Sequence, residues 1–171
     1  VGWHNSGASS SYQSWMWKRH AGFDVVAYDG DGVSGRQIPH SLSKIPEMLW
    51  VKRRDSSGAW IVYHKGLGGG TNPEEYIIKL DTDGAQQENG DWAWTDTAPT
   101  STHFTVGNDA TVNGDSNTYI SMLFASVDGI SKVGSWTGSG STQTITVGFA
   151  PRFLIWKRAN ASEKWYVVDT L

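Results

Sequence analysis

The sequence predicts an all-β protein, an antiparallel β-sandwich or jelly-roll-like fold built on an internal duplication. Three observations carry this reading. Apolar residues recur with period two in short runs, and clusters of Gly, Asn and Asp punctuate those runs. No window of about a dozen residues keeps the i, i+3, i+4, i+7 spacing of an amphipathic helix without a Gly or Pro intruding.

The first strand is expected at 23–28, "FDVVAY", ahead of the turn "DGDG". A second at 37–42 leads to a corner at Pro46. The third, 48–53, sets Met48, Trp50 and Lys52 on one face and Leu49, Val51 and Arg53 on the other; a Ser-Ser-Gly break then returns the chain as a strand at 60–64. Strands at 75–80 and 103–106 flank the turn-rich runs "DTDG", "NGD" and "GND". At 119–126, Ile120, Met122 and Phe124 alternate with Tyr119, Ser121, Leu123 and Ala125, as in a strand buried on one face and partly on the other. Four more strands are expected at 131–136, 142–149, 152–158 and 164–169.

The last two rewrite an earlier phrase. "PEMLWVKRRDSSGAWIVYHKG" returns as "PRFLIWKRANASEKWYVVDTL", and one constant shift carries Pro46 to Pro151, Leu49 to Leu154, Lys52 to Lys157, Trp60 to Trp165 and Val62 to Val167. With small loop-length changes, "VVAYDGDG" matches "VGSWTGSG" and "IPHSL" matches "ITVGF". The duplication defines a first copy at 22–66, an insertion at 67–125 and a second copy at 129–171, within a single domain over 1–171. Two copies are too few for a solenoid, so equivalent parts of two packed sheets related by a pseudo-two-fold are expected. A chain that opens on Val1 and not Met is expected to be a fragment of a longer polypeptide.

Composition excludes several function classes. The 171 residues hold 14 Lys+Arg against 17 Asp+Glu, net −3, and no segment gathers the basic residues into a stripe, which argues against nucleic acid and anionic membranes as partners. No apolar run approaches the roughly 18–20 residues of a membrane-inserted helix, and the N-terminus lacks a secretory-signal pattern. The absence of cysteine removes disulfides, thiolate zinc sites and thiol nucleophiles together. Ten Trp and 20 Gly suit short strands, tight turns and a binding surface.

Motifs of catalysis are missing. There is no Gly-x-Ser-x-Gly elbow, no His-Glu-x-x-His, no phosphate-binding glycine loop, and no zinc-spaced pair among His4, His20, His40, His64 and His103. Glu74, Glu75, Asp81 and Glu88 come nearest to a carboxylate cluster. No catalytic residue is assigned and no enzyme is expected. Between the repeats, "DGDG" becomes "TGSG": the glycines stay, as positive φ would demand, while both carboxylates vanish. Asp29 and Asp31 are therefore candidate calcium ligands, calcium being the one cofactor entertained, against the plainer reading of a solvated turn. "DTDGAQQENGD" (81–91) begins like a calcium loop but lacks its third Asp/Asn and its closing Glu.

Trp60 and Trp165 share one repeat position, as do Tyr28 and Trp136, so packing accounts for them. Trp92 and Trp94 have no counterpart. Two apart in "NGDWAWTDT", they point to one face if extended, and with Asp91, Asp96 and His103 near in sequence they form a candidate platform for the apolar face of a sugar ring. The competing reading is a lid over the sandwich.

The segment "SYQSWMWKRHAGFDVVAYDGDGVSGRQIPHSLSKIPEMLWVKRRDSSGAWIVYHKGL" resembles a domain that recurs in tail-fibre and other structural proteins of marine and cyanobacterial tailed phages, and "GISKVGSWTGSGS…VGFAPRFLIWKRANASEKWYVVDTL" is similar to its second half. The shared features are a Trp-x-Trp-Lys lead-in, Phe-Asp-Val-Val-x-Tyr, Gly-Arg-x-Ile-x-His-x-Leu, a Pro-x-Met corner and a Trp-x-Val-Tyr-His end. The resemblance implies a virion component, in a tail fibre or other external appendage, with other virion proteins and a host cell-surface glycan or receptor as partners and a homotrimer as assembly. It brings no active-site residue. The function expected is host-surface recognition without catalysis; the alternatives are a purely structural or decoration module and a glycan-degrading tail enzyme.

Overall fold

The computed structural model describes residues 16–19 and 21–170. His4, His20 and the start of the Trp-x-Trp-Lys lead-in lie outside them. The fold is all-β. Strands β1 (Phe23–Asp29), β2 (Arg36–Pro39), β3 (Met48–Arg53), β4 (Ile61–His64), β5 (Tyr76–Lys79), β6 (Gln87–Glu88), β7 (His103–Val106), β8 (Thr118–Phe124), β9 (Phe153–Trp156) and β10 (Tyr166–Asp169) are joined by turns and two short 3-10 segments, Leu67–Gly70 and Pro73–Glu75. Six strands form an antiparallel sheet in the order β1-β8-β3-β4-β5-β6, while β2–β7 and β9–β10 are separate two-stranded ribbons.

Period-two alternation puts opposite residues of one strand into two different cores. Leu49, Val51, Ile61, Tyr63, Tyr119 and Leu123 face the β2–β7 ribbon, where Ile38, Phe104 and Val106 close the main core. On the other face, Trp50 and Val62 meet Met48, Met122 and Phe124 and, from the C-terminal hairpin, Ile155 and Trp165. The two faces expected of β3 and β8 are those observed. Between this second face and the hairpin lies an apolar cleft of about 210 Å³, partly open to solvent and lined by Trp17, Trp50, Leu80, Phe153, Ile155, Trp165 and Val167.

The duplication holds down to the register. In β3–β4, Val51 pairs with Ile61, Trp50 with Val62, Leu49 with Tyr63 and Met48 with His64. In β9–β10, Trp156 pairs with Tyr166, Ile155 with Val167, Leu154 with Val168 and Phe153 with Asp169, the same four pairs under the shift that takes Pro46 to Pro151. The two hairpins also turn the same face, Trp50/Val62 and Ile155/Val167, toward the cleft between them. Trp60 and Trp165 both pack there, and the Trp165 indole N–H donates to Lys79 O at 2.9 Å.

Two expectations require correction. The strands expected at 131–136 and 142–149, counterparts of β1 and β2, do not form: beyond a bridge between Val127 and Ser131, residues 132–152 carry no strand. Trp136, expected to pack like Tyr28, is 48% exposed, whereas Tyr28 stacks on Tyr119 with ring centroids 5.2 Å apart. Second, the insertion takes part in the sheet of the first copy. Its last strand, β8, lies between β1 and β3 and holds the first copy together.

The turn glycines of "DGDG" are kept for two different reasons. Gly32 has φ +68, as expected, but Gly30 is confined by close approach: a Cβ there would stand 2.1 Å from Gly114 O.

His64, at the end of β4, accepts a hydrogen bond from Gly66 N–H on Nδ1 at 2.9 Å. Burial, reinforced by the Lys65 charge and opposed by Glu47, pushes its pKa from the ordinary 6.5 down to about 4. The folded state therefore keeps His64 neutral where the unfolded chain takes up a proton. Stability is expected to be full above pH 6.5 and to fall between pH 6.5 and 4, by at most about 3 kcal/mol at 1.36 kcal/mol per unit. Urea unfolding of wild type and His64→Gln at pH 7.5 and 5 checks this; the variant's pH dependence should be the flatter.

Candidate functional site

The loops between β4 and β8 gather the most unusual backbone of the molecule. Non-glycine residues with positive φ occur at Asn72 (43°), Asp91 (70°), Thr95 (52°) and Asp96 (45°), and such conformations persist only where surrounding structure enforces them. The enforcing residue is Asn89, 1% exposed. Its Nδ2 donates to Glu74 O at 2.7 Å, its backbone N–H to Glu75 O at 2.8 Å, and its backbone O accepts from Trp92 N–H at 3.2 Å. The 3-10 turn at Pro73–Glu75 and the turn at 90–96 are thereby fastened side by side. At their junction, Asp91 and Asp96 share a hydrogen bond that raises the Asp96 carboxyl above its ordinary range, with Glu75 and Glu74 adding charge. The outcome is an acidic corner flanked by Trp92, half-buried against the main core.

The paired-tryptophan platform is corrected by this geometry. The chain winds as a turn here instead of extending, so alternate residues do not share a face. Trp94 is 1% exposed, packs edge-on to Tyr63 with centroids 6.2 Å apart, and donates its indole N–H to Tyr76 O at 3.1 Å. It is a core residue. His103 is also elsewhere: at the start of β7 its Nδ1 lies 3.2 Å from Thr100 Oγ1 and 3.1 Å from Thr102 Oγ1, beside His40, while the 90–96 turn meets the far end of that strand where Gly107 N–H donates to Ala93 O. Four residues of strand separate the two, roughly 13 Å. Asp91 and Asp96 lie together, with Trp92 next to Asp91 in the same turn and packed on the main core; Trp94 and His103 are not part of the group.

Asp29 and Asp31 do not converge as a cation cage. The Asp31 carboxylate accepts from Val33 N–H at 2.9 Å and Asn113 Nδ2 at 3.0 Å and pairs with Arg36 Nε at 3.3 Å, while the Arg36 guanidinium also donates to the backbone O of Asp29. These bonds, the Val33 amide first, hold Asp31 below its usual range. Among the described residues no three His, Asp or Glu side chains are grouped to hold a metal.

Two residues passed over in the sequence organise the loops from inside. Asn113, fully buried, donates from Nδ2 to Asp31 Oδ1, Val33 O and Gly107 O, each at 3.0 Å, and its Oδ1 accepts from Asp31 N–H and Arg36 Nη1 at 3.2 Å. Asp24, fully buried, accepts from the Arg19 guanidinium, from Val25 N–H at 2.9 Å, and from Ser41 N–H and Oγ at 2.8 and 2.9 Å. Burial works to raise Asp24, but these donors outweigh it and hold the carboxyl below its ordinary range. A shallow groove of about 360 Å³ runs beside Asp24, His40 and Ser41; the carboxylate in its wall is fully engaged within the protein. Asn113 reads in sequence as turn punctuation in "VNGDSN"; the signal for Asp24 is a charge next to Phe23 in an otherwise apolar run.

A family model described as "Domain of unknown function (DUF7483)" matches residues 2–171. The chain belongs to this family. A DUF7483 domain thus comprises, among the described residues, the six-stranded sheet, its two ribbons and the acidic corner. No curated protein and no solved structure matches the chain.

Proposed function

We propose that this DUF7483 domain is a non-catalytic recognition module of a phage virion appendage, and that the corner formed by Asp91, Trp92 and Asp96 binds a neutral glycan of the host surface. The observation that carries the reading is the corner itself: carboxylates accept hydrogen bonds from sugar hydroxyls, a half-exposed indole covers the apolar face of a sugar ring, and the strained backbone that presents them is held by a buried Asn89. The phage assignment rests on the resemblance of the strand motifs.

Cleavage is the weaker reading. Glycosidase carboxylates stand roughly 5–5.5 Å apart when retaining and 6.5–9.5 Å when inverting. The Asp91 side chain raises the Asp96 carboxyl, with Glu75 and Glu74 adding charge, and the cluster is read as acceptors for sugar hydroxyls and not as a separated catalytic pair. A purely structural role draws support from a different feature, the exposed apolar face of β9–β10.

The test is titration of the labelled domain onto host cells and extracted surface polysaccharide, with and without EDTA. Saturable binding is expected, insensitive to EDTA because Arg36 already neutralises Asp31, and Trp92→Ala is expected to weaken it at least about tenfold with the fold intact. Absence of binding by folded wild type would overturn the proposal, and an unchanged affinity in Trp92→Ala would remove the corner from it.

A further inference from the structure

The six-stranded sheet has two outer strands, and they are guarded differently. β6 closes one side with two residues only, the charged Glu88 exposed on it. β1 is seven residues long and pairs only with β8 among the described residues. Gly22 O accepts from Ala125 N–H at 2.8 Å and Gly30 N–H donates to Asn117 O at 2.7 Å, so in this register the even-numbered residues bond inward to β8. Val25, Ala27 and Asp29 turn their backbone groups outward.

A long unpaired edge is a template for another strand, and proteins normally blunt it. Here only the ends are blunted: Val25 N–H is taken by the Asp24 carboxylate at 2.9 Å, and Asp29 O by the Arg36 guanidinium. Between these caps, Val25 O, Ala27 N–H, Ala27 O and Asp29 N–H have no hydrogen-bond partner among the described residues. The shallow groove of about 360 Å³ lies along this stretch, lined by Val25, Val26 and Ala27 of β1 and by Pro39, His40 and Ser41 at the end of β2.

We propose that the β1 strands of two copies of this chain pair antiparallel across a two-fold axis at Ala27, joining two six-stranded sheets into one. The occupant follows from the order of the free groups. With Ala27 opposite Ala27 and Val25 opposite Asp29, each Ala27 N–H meets the other copy's Ala27 O and each Asp29 N–H meets the other copy's Val25 O. All four free groups of each chain are then used, and the two capped groups fall opposite each other. Charge agrees with the same register. The Asp24 end carries Lys18 and Arg19 against one carboxylate, while the far end carries Asp29 and Asp31 against Arg36. Arg19 is 54% and Asp31 44% exposed at the side chain, so neither charge is spent within its own chain. The two-fold lays a net positive end on a net negative one, twice. At the crossing stands the small, exposed Ala27. Such a pairing makes a dimer, where the resemblance implies a trimer.

The chain has no cysteine, so Ala27→Cys places one thiol per copy at the axis. Opposed residues of a hydrogen-bonded antiparallel pair stand about 5.5 Å apart between Cα atoms, within disulfide reach, and diamide as oxidant takes up the two electrons and two protons released. Ala27→Cys is expected to give a covalent dimer. Asp29→Cys, with its two thiols four residues of strand apart, roughly 13 Å, is expected to give none. Light scattering coupled to size exclusion over a range of concentrations should show a reversible dimer, with slow amide exchange at Ala27 and Asp29. Ala27→Pro removes only an outward donor, which an edge strand tolerates, and should weaken the dimer at least about tenfold. Ser57→Lys, on the exposed turn after β3, should leave it unchanged. Near-UV circular dichroism monitors folding, and where Ala27→Pro disturbs it, Ala27→Lys is read in its place. A monomer at every concentration overturns the proposal, as do a trimer, a dimer untouched by the Ala27 variant, and equal crosslinking by the two cysteine variants. A monomer with both amides protected overturns it too, assigning the edge a cover from within the chain.

Discussion

Asn113→Ala is expected to destabilise the protein by about 3–5 kcal/mol, measured as a lower urea midpoint at unchanged m. Five side-chain hydrogen bonds end at this fully buried amide, and they reach three separate stretches: the Asp31–Val33 turn, Arg36 at the start of β2, and Gly107 after β7. Each bond contributes on the order of 1 kcal/mol net, and truncation orphans partners that water reaches poorly. Asn113→Asp tests the same point differently. It keeps the shape but loses the Nδ2 donors and places a second carboxylate against Asp31, so it should cost about as much as alanine. A change below about 1 kcal/mol in both variants would mean that the loops are held by their backbone bonds alone.

Asp24→Ala is the second large effect, expected at about 3 kcal/mol, with Arg19→Ala nearer 1 kcal/mol. The asymmetry follows from exposure. The Arg19 side chain is 54% exposed and that of Asp24 fully buried, so losing Arg19 removes a half-solvated partner while three donors from Val25 and Ser41 still hold the carboxylate. Losing Asp24 undoes all four bonds and detaches the loop after β2 from β1. A pH series separates the two roles. A depressed carboxyl contributes stability that is present above its unfolded pKa and lost as pH falls through the folded one. In Arg19→Ala burial meets less opposition, the Asp24 pKa rises, and acid unfolding should begin at a higher pH than in wild type. Equal losses in the two alanine variants would contradict the asymmetry.

The parts of the fold legible in the sequence were those with a local cause. Alternation in β3 and β8 told both faces apart because each face buries against its own core. The repeated phrase foretold the β9–β10 hairpin and, through the gapless shift, its pairing. The 131–149 region misled because β-branched residues form a strand only where an edge is available to pair with, and the described chain offers this segment none. Trp94 misled for a related reason. Two tryptophans at period two share a face in a strand, but positive φ at Asp91, Thr95 and Asp96 winds the chain and turns one ring into the core. Of the candidate site, the acidic residues and Trp92 could be found from their lack of repeat counterparts; Asn89 and Asn113 could not, since a buried asparagine and a turn asparagine are written with the same letter.

The cleft between the two hairpins has a mechanical consequence. Hydrostatic pressure favours whichever state has the smaller volume, and unfolding gains volume advantage in proportion to the empty space it eliminates. Here that space is gathered along one seam, about 210 Å³ between the six-stranded sheet and β9–β10, where the Trp50 indole N–H is buried without a hydrogen-bond partner among the described residues. Pressure is therefore expected to act on this seam, whose wall includes Trp50. The two halves of the duplication thus share one pairing pattern but not one interior: the first hairpin has a face sealed in the main core, while the second is backed by this cleft.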